Sequence, residues 1–265
     1  MTAPILLDID AGVATLTLNR PASLNALSFD MMAALSEATG QLARRKDLRV
    51  VVVAGAGEHF MAGGDLKDFA SQLHLSPEIR LASFRATIEQ HINPAIEALV
   101  NLPVPVVARV QGACAGFGLS LALACDLVVA ADNAYFTTAY ASIALSGDGG
   151  VSWLLPRIVG RHKACELLLL AERFDAAEAL RLGVVSRIVP LEGLDEAVGG
   201  LVRRIVNGPR ETYAEMKRLL GHSACHSLDA QLQLEAEAFA RSAARPDFDE
   251  GIRAFLDKRK PRFNG

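Results

Sequence analysis

Two glycine-rich segments are the parts of this chain best suited to chemistry: Met61-Ala62-Gly63-Gly64-Asp65-Leu66 and Gly112-Ala113-Cys114-Ala115-Gly116-Phe117-Gly118-Leu119. Each follows an apolar run and precedes a helical stretch. Glycine lets a backbone approach a ligand closely, and a helix start offers N–H groups without internal partners. Two such donors converging on one oxygen form an oxyanion hole, a site that stabilises a developing negative charge. Ordinary turns at strand ends fit both segments equally well. A further alternative is a dinucleotide-binding turn at Gly112-x-x-x-Gly116-x-Gly118, with Asp132 downstream and a Tyr213/Lys217 pair as a dehydrogenase would carry. Against it, the turn lies mid-chain, and the helix after it is too short to return to a parallel strand. Tyr213 and Lys217 also lie four apart on a tail helix, as a surface pair would.

The flanking elements are legible from periodicity and punctuation. Residues 5–9 and 13–18 read as a hairpin, and Ser28 caps a helix running to about residue 45. Residues 50–54 and 104–110 are continuous apolar runs, hence strands buried on both faces. Ser76-Pro77-Glu78 opens a helix expected to reach about residue 100. After the second glycine segment come a helix at 119–125, strands at 127–131 and 134–138, and a third loop at 140–150. Helices at 151–159, 162–171 and 176–182 and a strand at 184–189 follow. Beyond Pro190 the chain reads as helix, at 194–206, 209–221, 228–241 and 248–258. The division is therefore an α/β core over 1–190 and a helical region over 191–265, whose apolar faces call for cover, as by another subunit.

Composition narrows the class. Lys+Arg number 27 against 30 Asp+Glu, with no basic block, which argues against a nucleic-acid partner. Apolar residues make up 51%, too many for a disordered chain. No apolar run approaches the ~20 residues of a membrane span. The start, MTAPILLDIDAG, lacks the charged and apolar regions of a signal peptide. The cysteines Cys114, Cys125, Cys165 and Cys225 form no disulfide framework or C-x-x-C pair. A cytoplasmic location is the expectation. No histidine has partners at metal-ligand spacing, and no metal is expected.

Taken in order, Arg20-Pro21…Leu24-Asn25-Ala26-Leu27, Phe60-Met61-Ala62-Gly63-Gly64-Asp65-Leu66, Gly112…Ala115-Gly116-Phe117-Gly118, Cys125-Asp126-Leu127 and Phe255-Leu256-Asp257-Lys258-Arg259 resemble the crotonase (enoyl-CoA hydratase/isomerase) superfamily over nearly the whole chain. The resemblance implies an α/β fold: a spiral of β-β-α units with a C-terminal helical trimerisation region, assembled as a homotrimer or dimer of trimers. It implies an acyl-CoA thioester substrate, with coenzyme A part of that substrate and no separate cofactor.

The resemblance also implies roles. The thioester enolate oxygen is held by two backbone amides, which motif position assigns to Ala62 and Phe117. Ala62, Gly63 and Gly64 would line the coenzyme A channel through backbone atoms. Leu24 falls near the nucleotide, Asp65 near bound coenzyme A or equally as a helix cap, and Lys258 matches a tail lysine that reaches a phosphate. Family hydratases carry two glutamates; here Ser120 and Tyr140 stand at those places. Neither is a carboxylate base, and an ordinary tyrosine, pKa near 10, is a poor one. Asp148, in Leu145-Ser146-Gly147-Asp148-Gly149-Gly150, matches the aspartate with which family isomerases shuttle a proton. One base over an enolate suffices for a 1,3-proton shift or ring isomerisation. The alternatives are hydration, with water held by Ser120 or Tyr140, and acyl-CoA binding without turnover.

Overall fold

The computed structural model describes residues 3–263, so the outermost ends of the two expected regions lie outside it. A hairpin opens the chain, β1 (Ile5–Asp10) and β2 (Val13–Leu18), turned by Ala11 and Gly12, both at positive φ. Helix α1 (Phe29–Arg44) begins where the Ser28 side chain accepts from the Met31 N–H. Strand β3 (Val50–Gly55) then pairs parallel to β2.

Every residue of β3 is buried because both faces are covered. Val51 and Val53 face the main core, with α1 residues such as Leu35 and Leu42. Val50 and Val52 face a second, smaller core built with Leu194, Val198 and Ile205. An alternating strand would have left half its residues wet; a run of valines belongs between two layers.

Two short helices follow: α2 (Leu66–Ala70) and α3 (Pro77–Thr87). The single helix expected from Ser76 to about residue 100 is instead broken: a π-helical turn at Ile88–Ile92 joins α3 to α4 (Asn93–Asn101). Pro94 has no N–H to give the preceding turn, which accounts for the local widening.

The remaining strands make the spiral. Strand β4 (Val106–Val110) joins the large sheet and runs into the short β5 (Ala113–Ala115), within the segment whose sequence reads as a glycine loop. Helix α5 (Phe117–Leu123) leads back to β6 (Leu127–Ala131), and β7 (Tyr135–Thr137) pairs with β5. Helices α6 (Val151–Val159) and α7 (Arg161–Leu170), strand β8 (Phe174–Asp175) and helix α8 (Ala176–Arg181) close the turn. The expected strand at 184–189 is shorter, β9 (Arg187–Val189), because the N–H groups of Val184 and Val185 both donate to Ala179 O at the end of α8. The large sheet has the order β1-β2-β3-β4-β6-β9 and the small one β5-β7-β8. Strands β4 and β6 thus each continue into a strand of the small sheet, β5 and β7.

The C-terminal helices are α9 (Leu194–Val206), α10 (Arg210–Ser223), α11 (Leu228–Ala243) and α12 (Pro246–Leu256). Helix α9 supplies the second core. Helix α10 is tied to the core by Lys217, whose Nζ donates to Asp126 Oδ2 at 2.7 Å and to the carbonyls of Val104 and Leu99. Tyr213 and Lys217 thus serve helix packing, with Tyr213 against the second core. No helix among the described residues is long and apolar enough to cross a membrane.

Candidate active site

The first glycine loop is stitched between its neighbours by parallel bridges. Met61 pairs with Cys114 of β5, through Met61 N to Ala113 O and Ala115 N to Met61 O, both 2.9 Å. Gly64 pairs with Leu27, through Leu27 N to Gly63 O at 2.8 Å and Asp65 N to Leu27 O at 3.0 Å. Successive N–H groups of an extended chain point to opposite sides. After Met61 donates toward β5, Ala62 donates the other way, to Leu24 O at 3.0 Å.

That bond corrects the expectation for Ala62, whose N–H is consumed inside the protein. The N–H of Gly64 donates to no acceptor among the described residues. Neither does that of Phe117, the first residue of α5, where no intrahelical partner exists. The helix begins two residues earlier than its apolar pattern suggested, and this is what leaves the Phe117 amide open.

These amides lie beside the closest approach of the two loops. A Cβ placed on Gly116 would sit 3.2 Å from Gly63 Cα, and one on Gly63 would sit 3.4 Å from Ala115 O. Backbone meets backbone there because neither residue carries a side chain. Gly116, at φ 52° and ψ −123°, also holds a conformation that L-residues avoid.

A layer of polar side chains fixes this geometry. Asn25 is fully buried: its Nδ2 donates to Ala56 O and His59 O, and its Oδ1 accepts from the Arg20 N–H. Gln111 Nε2 donates to Gly55 O and Gly57 O, and His59 Nδ1 accepts from the Ala113 N–H. Sequence reasoning gave Asn25, Gln111 and His59 no such part. Gln111 and His59 stand within two residues of Gly112 and Gly57, a polar residue beside a glycine turn, whereas no glycine lies near Asn25 in the sequence.

Asp65 is 8% exposed, accepts from the Lys67 N–H at 3.0 Å, and pairs with Arg20 Nη2 at 2.8 Å. Arg20 also donates to Ala26 O. Burial pushes the Asp65 carboxyl up, but the Arg20 and Lys67 hydrogen bonds and the guanidinium charge outweigh it and hold it below its ordinary 3.8. A lowered value stabilises the fold above the unfolded value, and that stabilisation is lost as pH falls below it. Asp65→Asn should therefore lower stability at neutral pH by about 1–2 kcal/mol. In thermal unfolding the gap to wild type should close as pH drops well below 3.8; a gap constant with pH would exclude the ionic pair as its source.

The third loop brings the other candidates together. Tyr140 Oη donates to Asp148 Oδ1 at 2.7 Å, Ser120 Oγ donates to the Asp148 carbonyl at 2.9 Å, and the two hydroxyls are 2.8 Å apart. Gly149, at φ 59°, lies so close to α5 that a Cβ would sit 2.8 Å from the Phe117 ring and 2.9 Å from Ser120 Cβ. The loop is thus laid over the first turn of α5, with Asp148 beside Phe117 and Ser120. Burial pushes the Asp148 carboxyl up, and the Tyr140 hydrogen bond pulls it partly back. Burial and the Asp148 charge push the Tyr140 phenol well above its ordinary value, so it stays protonated.

Leu24 and Lys258 stand apart from this cluster. Leu24 is 44% exposed at the edge of the first loop, and its carbonyl is the acceptor for Ala62. Lys258 is exposed after α12 at φ 53°, and among the described residues no hydrogen bond joins it to either glycine loop. Phe69 and Phe84 pack with Phe29 in one aromatic cluster, and the Phe69 ring lies against Gly64. No group of three or more metal-ligating side chains occurs among the described residues.

A family model described as enoyl-CoA hydratase/isomerase matches residues 8–265. The chain belongs to the enoyl-CoA hydratase/isomerase family. It is 36% identical over 261 residues, 98% of each chain, to 1,2-epoxyphenylacetyl-CoA isomerase of Escherichia coli K12. It is 32% identical to the peroxisomal Delta(3,5)-Delta(2,4)-dienoyl-CoA isomerase of Arabidopsis thaliana, covering 96% of this chain and 93% of that one. The crystal structure of an enoyl-CoA hydratase of Mycobacterium smegmatis superposes with a TM-score of 0.88, at 36% identity and 98% coverage of both chains. The spiral read from the motifs is this family's fold, and the protein is an enzyme of the enoyl-CoA hydratase/isomerase kind. Its relatives are named for both chemistries, isomerisation and hydration.

Proposed function

We propose that the enzyme is a double-bond or ring isomerase of an enoyl-CoA, working through a thioester enolate. The observation that carries this reading is the pairing of Asp148 with Tyr140 and Ser120 over the first turn of α5. In our reading the enolate oxygen accepts from the Gly64 and Phe117 amides, and Asp148 alone carries the proton. Removing one such donor costs an enzyme about 3–4 kcal/mol of transition-state stabilisation. Gly64 replaces Ala62 in that role because the Ala62 amide is engaged.

Ionised Asp148 takes a proton from one carbon of the acyl group; its acid form returns that proton to another carbon. Hydration needs a second group to hold and activate water, and the hydroxyls at the glutamate places, Ser120 and Tyr140, are turned to Asp148 instead. Backbone atoms of Ala62, Gly63 and Gly64 line the coenzyme A channel in this reading, with Leu24 at its rim and Lys258 reaching a phosphate. Asp65 acts by holding the loop. The substrate is an acyl-CoA thioester.

A trimer belongs to the same reading. The C-terminal helices leave an apolar cleft of about 510 Å³ lined by Met216, Leu219, Phe239, Phe248 and Ile252, the kind of face a second subunit covers. Incubation with a 2- or 3-enoyl-CoA in heavy water tests the chemistry. An isomerase gives α- or γ-carbon deuteration and a shifted double bond. A 3-hydroxyacyl product as the main outcome would overturn the isomerase reading in favour of hydration.

A further inference from the structure

Ser120 and Tyr140 stand at the family's glutamate places, where hydration would have them hold a water. Their geometry assigns them something else. The contacts among Ser120, Tyr140 and Asp148 close a ring: Ser120 Oγ to Tyr140 Oη at 2.8 Å, Tyr140 Oη to Asp148 Oδ1 at 2.7 Å, and Ser120 Oγ to the Asp148 carbonyl at 2.9 Å. Ser120 is fully buried and Tyr140 is 8% exposed, so water does not readily substitute for a missing partner.

Each hydrogen bond needs a proton between its heavy atoms. The serine and tyrosine hydroxyls bring one each, and a backbone carbonyl brings none. With Asp148 ionised, two protons serve the three short contacts, and Tyr140 Oη lies a further 3.5 Å from the Asp148 carbonyl. Tyr140 donates to the carboxylate, and Ser120 donates either to Tyr140 Oη or to the carbonyl. With Asp148 neutral, the third proton completes the ring. Asp148 then donates to Tyr140 Oη, Tyr140 to Ser120 Oγ, and Ser120 to the Asp148 carbonyl. The direction of donation between Tyr140 and Asp148 reverses.

We infer that Ser120 and Tyr140 are positioning residues that hold the proton of Asp148 between uptake and release by the turning of three O–H groups, the carboxyl's own and the two hydroxyls, with no heavy atom moving. The inference rests on the reading of Asp148 as the proton carrier. Both protonation states of Asp148 are hydrogen-bonded in place, so the carboxyl group keeps its position through a full cycle, and its O–H swings from Tyr140 to the acyl group to deliver the proton. The proton balance closes within the reaction: the one gained from the first carbon is the one given to the second.

The surroundings leave this control to the two hydroxyls. Helix α5 presents Ser120 and the 3-10 turn at Tyr140–Ile143 presents Tyr140. On α6, Arg157 lies over the Trp153 ring and donates to Trp153 O. Helix α4 meets the loop at Gly150 through Ile96. Tyr140 is the one titratable side chain that shifts Asp148 among the described residues.

The test compares wild type, Tyr140→Phe, Ser120→Ala and Asp148→Asn in two measurements over pH. One is the deuterium-exchange rate with enoyl-CoA. The other is the infrared C=O stretch of a neutral carboxyl, assigned to Asp148 by its loss in Asp148→Asn. Tyr140→Phe removes the donor to the carboxylate, so the Asp148 band should persist to a pH higher by roughly one unit. Exchange should then fall about tenfold below the new midpoint and recover above it. Ser120→Ala should shift both in the same direction by less. A loss of rate equal at every pH, or a band midpoint that does not move, would overturn the inference. The infrared arm needs no turnover. If Asp148→Asn kept wild-type exchange, the catalytic reading would fail while the band shift still judged the ring.

Discussion

Asp148→Asn will bind acyl-CoA as wild type does and exchange substrate hydrogen about 10²- to 10⁴-fold more slowly. The magnitude follows from general acid–base catalysis, worth about 10² to 10⁴, with no second carboxylate in the cluster to substitute. Asparagine matches aspartate in shape, and its Oδ1 still accepts from Tyr140 Oη, now 2.7 Å from Asp148 Oδ1. The third loop should therefore keep its place over α5, and the loss should be chemical. Thermal stabilisation by a coenzyme A thioester, which depends on binding alone, should be unchanged. In the wild type, the ionised form begins the reaction. Burial raises the Asp148 carboxyl above its ordinary 3.8, so exchange should fall with decreasing pH through that raised value, before unperturbed aspartates protonate. An Asp148→Asn enzyme with most of its exchange intact would remove Asp148 from the mechanism.

The reach of the sequence differs between the scaffold and the site. Buried strands such as β3 and the capped helix α1 were legible, because burial on both faces and a serine cap leave strong local signals. The ordered motifs identified the family and its spiral. Elements that depend on partners far along the chain were not legible. Strand β5 is three residues long and exists because Met61 and β7 flank it. The π-helical turn at Ile88–Ile92 interrupts a pattern that reads as one helix. At the site, Asp148, Tyr140 and Ser120 were named from the sequence and do come together, but their mutual bonding was hidden by chain separations of 8 to 28 residues. The Ala62 amide, named from the motif as the first donor, is engaged by Leu24 O, and the amide without an acceptor among the described residues is that of Gly64, two residues on. A motif fixes a segment, whereas the direction of each N–H follows from which neighbours bridge Met61 and Gly64. Those neighbours, Cys114 and Leu27, lie on other turns of the spiral.

If the enolate oxygen sits between Gly64 and Phe117, Gly116 is the residue whose replacement should damage catalysis most without touching a side chain of the site. Gly116→Ala puts a Cβ 3.2 Å from Gly63 Cα, on a backbone at φ 52° and ψ −123° that suits glycine alone. Such strain costs about 1–3 kcal/mol. The chain can relieve it by turning the peptide before Phe117, which redirects the Phe117 amide, or by pressing back Gly63, which carries the Gly64 amide away. Either way the donors lose their convergence. Loss of one oxyanion donor lowers kcat by about 10² to 10³, and that is the expected fall here, with a smaller change in KM. Gly193→Ala is the matched control: a Cβ there meets nothing within 4 Å, and φ is −93°. The control should keep its rate. If Gly116→Ala folds, shown by an unfolding midpoint within a few degrees of wild type, and also keeps wild-type kcat, then the two amides do not share an oxygen. Asp148 would then have no stabilised enolate to work over.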